Sequence, residues 1–165
     1  MSARKRRNAG FTLIEILIVV VILGILAAIV IPQFTTASDA ARASSLVSQL
    51  QTIRSQLELY NVQHGGGYPD LADVDGDGTM WDRMREETDA TGAIAAGSPF
   101  GPYLQKAPAN PFTSSSDVGA LGAAAVTDGW AYDSATGEIR GVLPDSFDPV
   151  ELGLDAVDIE VVAVP

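Results

Sequence analysis

Close to its start the chain carries a segment that has no polar side chain at all. From Ile16 to Ile31 all sixteen residues are Ile, Leu, Val, Ala or Gly. Counted from Phe11 the segment is about 31 Å long as a helix, enough to cross a hydrocarbon core of ~30 Å. Pro32 follows. It lacks a backbone donor and crowds the carbonyl of Ala28, so a kink or local melting is expected there. A different pattern then takes over. Ala43, Leu46, Leu50, Ile53, Leu57 and Tyr60 recur at steps of three and four, which places them on one stripe of a helix. Gln49, Arg54, Ser55 and Glu58 lie on the opposite side. Such a stripe is a core face, and it is expected to pack on a sheet. The helix should continue to about Gln63. His64-Gly65-Gly66-Gly67 ends it, because glycine suits a left-handed cap. His64, the sole histidine, is read as complementing the dipole of the last turn.

Beyond Tyr68-Pro69 the period shortens and turn residues accumulate. Thr79 to Asp89 has the composition of a short helix. Thr91 to Gly101 and Thr113 to Asp128 read as small-residue loops. Gly129 to Tyr132 and Glu138 to Val142 are two β-rich runs around the polar turn Asp133 to Gly137, the pattern of a hairpin. Trp130, Tyr132 and Ile139 are expected to meet the long helix. In the acidic tail from Asp145, Val157 to Val161 alternates like an edge strand; the alternative is an extension that docks a neighbour. The predicted fold class is α+β, a long N-terminal helix packed on a small antiparallel sheet. Its parts are residues 1–10, 11–32, 33–64 and 65–165, the last being a globular β-rich domain.

The chemistry begins ahead of the apolar run, where Arg4, Lys5, Arg6 and Arg7 precede Gly10. A basic start before an apolar run is first of all the form of a secretory signal peptide. Such a signal carries its small-residue cleavage site after the run, however, and Gly10 comes before it. The nearest downstream candidate, Ala41-Arg42-Ala43, lies well beyond. Glu15 also breaks the pattern. An acidic residue at a helix centre costs ~2.5–3.5 kcal/mol on insertion scales, and so marks a partner or a function. Gly10-Phe11-Thr12-Leu13-Ile14-Glu15 followed by the apolar run resembles the class III signal of the type IV pilin and type II secretion pseudopilin family.

The resemblance implies that residues 1–10 are a leader, cut between Gly10 and Phe11 by prepilin peptidase. Phe11 would then be N-methylated. Glu15 would pair with the N-terminal amine of a neighbouring subunit during assembly. An amine and a carboxylate attract strongly in low dielectric, and each relieves the other's unpaired charge. Gly66-Gly67-Tyr68-Pro69, the Pro102 to Phe112 segment and the hairpin are similar to the major, G-type pseudopilin. The absence of cysteine leans the same way, since many type IV pilins close a C-terminal loop with a disulfide. The function implied is a structural subunit of a type II secretion pseudopilus. Its partners would be copies of itself, minor pseudopilins, the peptidase and an inner-membrane assembly platform. The placement implied is a single pass of the bacterial inner membrane. Its basic end would be cytoplasmic, as the positive-inside rule also requires, and its C-terminal part periplasmic. The alternatives are a type IV pilin serving adhesion, motility or DNA uptake, and a membrane-anchored calcium-binding domain.

Charge narrows the partners. The chain carries a formal −11. Without residues 1–10 it has six Lys and Arg against 21 Asp and Glu, a formal −15. A surface this acidic disfavours nucleic acid and anionic lipid. Asp73-Val74-Asp75-Gly76-Asp77-Gly78 reproduces the first half of a calcium loop, with hard oxygen ligands at alternate positions and a glycine at the sixth. The second half departs from the pattern: position twelve is Met84, where a bidentate Glu is expected. Asp82, Glu86 or Glu87 could substitute with a different geometry; Asp73, Asp75, Asp77 and Asp82 are the candidate calcium ligands, the alternative being a solvated acidic turn. No G-x-S-x-G, P-loop or H-E-x-x-H occurs, and with one histidine and no cysteine there is no thiol nucleophile or histidine cluster. The chain is therefore expected not to be an enzyme.

Overall fold

The computed structural model describes residues 11–71 and 79–164. Helix α1 runs Leu13–Gln63. Its backbone is helical through residue 32, so the melting expected at the proline does not occur. A proline removes one backbone bond, and the neighbouring turns keep theirs; Thr35 Oγ1 also donates to the Ile31 carbonyl at 3.2 Å. Two compact units divide the chain, one through Asp39 and one from Ala40.

In the second unit the stripe read from the sequence is the core. Leu46, Leu50, Ile53, Leu57 and Tyr60 are buried, and they pack with Trp130, Tyr132, Ile139 and Leu143. Helix α2, Met80–Arg85, adds Met80 and Met84 to the same cluster. Arg54 is not on a solvent face. Its guanidinium pairs with Asp158 at 2.6 Å and donates to the carbonyls of Ile139 and Val157 at 2.9 and 2.8 Å. A long stem lets Arg reach past the helix flank and keep its head polar. His64 does sit at the last turn. Nδ1 lies 2.8 Å from the Tyr60 carbonyl, and the ring stacks on Tyr60 at 3.8 Å.

Four strands form one sheet in the order β1-β2-β3-β4: β1 Val118–Ala120, β2 Trp130–Asp133, β3 Glu138–Pro144 and β4 Ile159–Val162. The expected hairpin is β2–β3, antiparallel, with Trp130 opposite Gly141. The sheet as a whole is mixed rather than antiparallel, because β1 joins β2 and β4 joins β3 in parallel. Parallel neighbours need a crossover instead of a tight turn. Residues 121–129 supply one. They cover the sheet face away from α1, where Ala124 packs on Ala131 and Val142. Glu160 of β4 holds this crossover by accepting from the Gly122 amide at 2.9 Å. Residues 145–158 supply the other, which contains helix α3, Pro149–Leu152, and packs Phe147, Leu152 and Leu154 against the main core. The tail is thus part of the fold rather than a free extension.

Buried polar groups fix the connections. Asn110 is fully buried; its Nδ2 donates to the carbonyls of Gly129 and Val142 at 2.7 and 2.8 Å, and its Oδ1 accepts from the Phe112 amide. This satisfies each end of the amide and ties the segment before β1 to the hairpin. Trp130 Nε1 donates to the Pro108 carbonyl at 2.9 Å, and the Tyr132 hydroxyl to that of Pro69 at 2.9 Å. Burial pushes the Tyr132 phenol well above the usual tyrosine range.

Candidate assembly site at the N-terminus

Phe11 and Thr12 precede the first helical residue, Leu13. Thr12 therefore stands at the N-cap, and Glu15 three residues on. Both the amide and the hydroxyl of Thr12 donate to Glu15 Oε2, each at 2.8 Å, while the Glu15 amide donates back to Thr12 Oγ1 at 3.2 Å. This is a reciprocal capping box, which satisfies donors that a helix start leaves open. It also places a carboxylate where the helix dipole favours one. The spacing Thr-x-x-Glu at positions 12–15 signals it in the sequence, so Thr12 joins Glu15 as a residue of this site.

The helix that follows this carboxylate is apolar on every side. Phe11 is 82% exposed, and each large side chain from Ile16 to Ile31 is at least 41% exposed. A helix that is apolar all round has no solvent face. So much uncovered hydrocarbon marks a lipid or protein contact rather than a free surface. α1 is the one helix among the described residues long and apolar enough to cross a membrane.

The remaining predicted site residues fall elsewhere. Gly10, Asp73, Asp75 and Asp77 lie outside the described residues. Asp82 is described, and its carboxylate is already engaged. Oδ2 accepts from the Thr79 amide and hydroxyl at 3.0 and 2.8 Å, and Oδ1 pairs with Arg85 at 2.6 Å. A cation ligated through Oδ1 would compete with Arg85 for that oxygen, while the cap of α2 rests on Oδ2. Among the described residues no group of three or more His, Asp or Glu is placed to hold a metal.

Residues 5–31, which hold the first turn of α1 and the start of the apolar helix, match the prokaryotic N-terminal methylation motif. The chain is 43% identical over 61 residues to type II secretion system core protein G of Pseudomonas aeruginosa, covering 37% of this chain and 43% of that protein. It is 40% identical over 60 residues to the core protein G of Dickeya chrysanthemi, covering 36% and 39%. A fimbrial protein of Pseudomonas aeruginosa is 37% identical over 110 residues, covering 58% of this chain and 69% of that protein. The chain belongs to the family of type IV pilins and type II secretion pseudopilins. It spans about two fifths of the length of the core protein G relatives. No solved structure matches it.

Proposed function

We propose that the chain is a structural subunit of a type II secretion pseudopilus and has no catalytic role. In this reading prepilin peptidase removes residues 1–10, Phe11 becomes the methylated N-terminus, and the apolar half of α1 holds the subunit in the inner membrane. The globular unit then lies on the periplasmic side. Copies polymerise through the apolar helix, together with minor pseudopilins and under an inner-membrane assembly platform. The observation that carries the reading is Glu15. It is the only charged residue between Phe11 and Asp39, and it sits at the helix start among exposed apolar side chains. In the single chain Thr12 supplies its donors. In a polymer the amine of a neighbouring Phe11 offers a full positive charge in the same low dielectric, a stronger partner than a hydroxyl. The similarity to core protein G favours a pseudopilus over an adhesive or motile pilus. Calcium binding by Asp73, Asp75 and Asp77 is a separate proposal, supported by their spacing alone.

A Glu15→Ala chain is expected to insert in the membrane normally and to yield no filaments when overproduced with the secretion machinery. Filaments as abundant as those of the parent chain would refute the role given to Glu15.

A further inference from the structure

Two unlike surfaces of the globular unit flank α1 and meet on the helix at Ser48. On one side a groove of about 260 Å³ runs between Ser45, Gln49 and Thr52 of the helix and Leu104 and Pro108. Lys106 stands exposed between the last two in the chain. Among the described residues Lys106 has no carboxylate partner, whereas Arg54, Arg83, Arg85 and Arg140 are each paired within the chain. On the other side Ser44, Val47 and Gln51 of the helix meet Leu152, Gly153 and Leu154. Around that stretch Val150 and Val157 are 83% and 63% exposed, and Glu151 and Asp155 are exposed carboxylates.

We propose that these surfaces join in the filament: Lys106 and its groove on one copy receive Val150, Glu151, Asp155 and Val157 of the next. The inference rests on the filament reading above and deepens it by naming the contact. Charge selects the pair. A body of formal charge −15 without its first ten residues repels its copies, so attraction needs a cation that is not already neutralised, and Lys106 is one. Like charges set face to face would suppress other registers. The exposed valines match the apolar wall made by Leu104 and Pro108. Symmetry then sets the outcome. The two surfaces differ, so the contact is heterologous, the kind that a helical polymer repeats from copy to copy.

The chain has no cysteine, which permits a direct test in the full-length protein in its own cell envelope. Lys106→Cys combined with Asp155→Cys is expected to give an oxidation-dependent ladder of multimers, and neither single variant should give one. Lys106→Glu is expected to weaken each contact by up to about fivefold and so to lower filament yield, with unchanged circular dichroism. Adding Glu151→Lys and Asp155→Lys should restore the yield. Filaments of the double-cysteine chain that form without cross-links, or a Lys106→Cys chain that cross-links to itself, would overturn the contact and leave the filament reading standing. Absence of filaments from the parent chain under the same conditions would overturn both.

Discussion

Gly141 gives the sharpest test of how the sheet is held on the helix. It lies in β3 between Trp130 of β2 and Ile159 of β4. A Cβ added there would fall 2.7 Å from Leu46 Cδ1 and 3.0 Å from Cδ2. Leu46 is fully buried, so its methyls have no open space to move into. The backbone of Gly141 is ordinary strand, and on conformational grounds alone Gly→Ala would gain ~0.5–1 kcal/mol. Overpacking an enclosed core costs ~1–3 kcal/mol. The steric term is the larger, and Gly141→Ala is expected to lose about 1–2 kcal/mol net. Leu46→Ala alone should lose ~2–5 kcal/mol. In the double variant the new methyl occupies space that Leu46 vacated, so the combined loss should fall short of the sum by ~1 kcal/mol or more. Urea unfolding of the full-length protein in detergent, followed by tryptophan fluorescence, reads this cycle, since Trp130 is fully buried beside the contact. A stable Gly141→Ala variant, or strict additivity, would show that the sheet does not press on α1 at Leu46.

Other perturbations address the polar anchors. Arg54→Met keeps much of the stem and removes three hydrogen bonds; a loss of about 1–2 kcal/mol is expected, chiefly because the carbonyl of buried Ile139 loses a charged donor. Asp158→Asn should cost less in the same denaturation assay, as it leaves the carbonyl contacts in place. Asp82 has its carboxyl held below the ordinary range, first by the hydroxyl and amide of Thr79 and then by Arg85. A depressed acid stabilises the fold above its unfolded value and loses that contribution as pH falls through the folded one. Asp82→Asn should therefore flatten part of the stability loss on acidification below about pH 4. An unchanged acid limb in denaturant midpoints from pH 2 to 7 would contradict it. Asp89, held low by Thr91, adds to the same limb.

The parts of this molecule that were legible in the sequence are those where one physical demand sets the pattern. Ala43, Leu46, Leu50, Ile53, Leu57 and Tyr60 announce a helix buried on one side, and all six are buried. Trp130 and Tyr132 announce a strand on the same core, and Asp133 to Gly137 turns it back. Of the two outer strands β4 was legible, since Val157 to Val161 alternates as an edge strand does and Ile159–Val162 lies at an edge of the sheet, whereas β1 was not. Val118–Ala120 contains a glycine and an alanine with little strand preference, so its place beside β2 is set by the crossover that packs Ala124 over the sheet. No local signal distinguishes parallel from antiparallel pairing at β4, where the path of residues 145–158 decides it. Polar contacts between residues far apart in the chain leave no local signal: Arg54, read on the face opposite the core stripe, finds Asp158, and Asn110 finds Gly129 and Val142. At the N-terminus the partner is close. The capping box of Thr12 and Glu15 was written in the spacing, while the charge of Glu15 drew attention away from its local role.

The central claim is that Phe11 becomes the first residue of a subunit made to polymerise. The mass of the N-terminal peptide, taken from protein in the membranes of its own host, tests it most directly. A chain that begins at N-methylated Phe11 is the predicted result. An intact Met1 start, or cleavage beyond Ile31, would contradict it and leave a plain anchor or a secreted domain in its place.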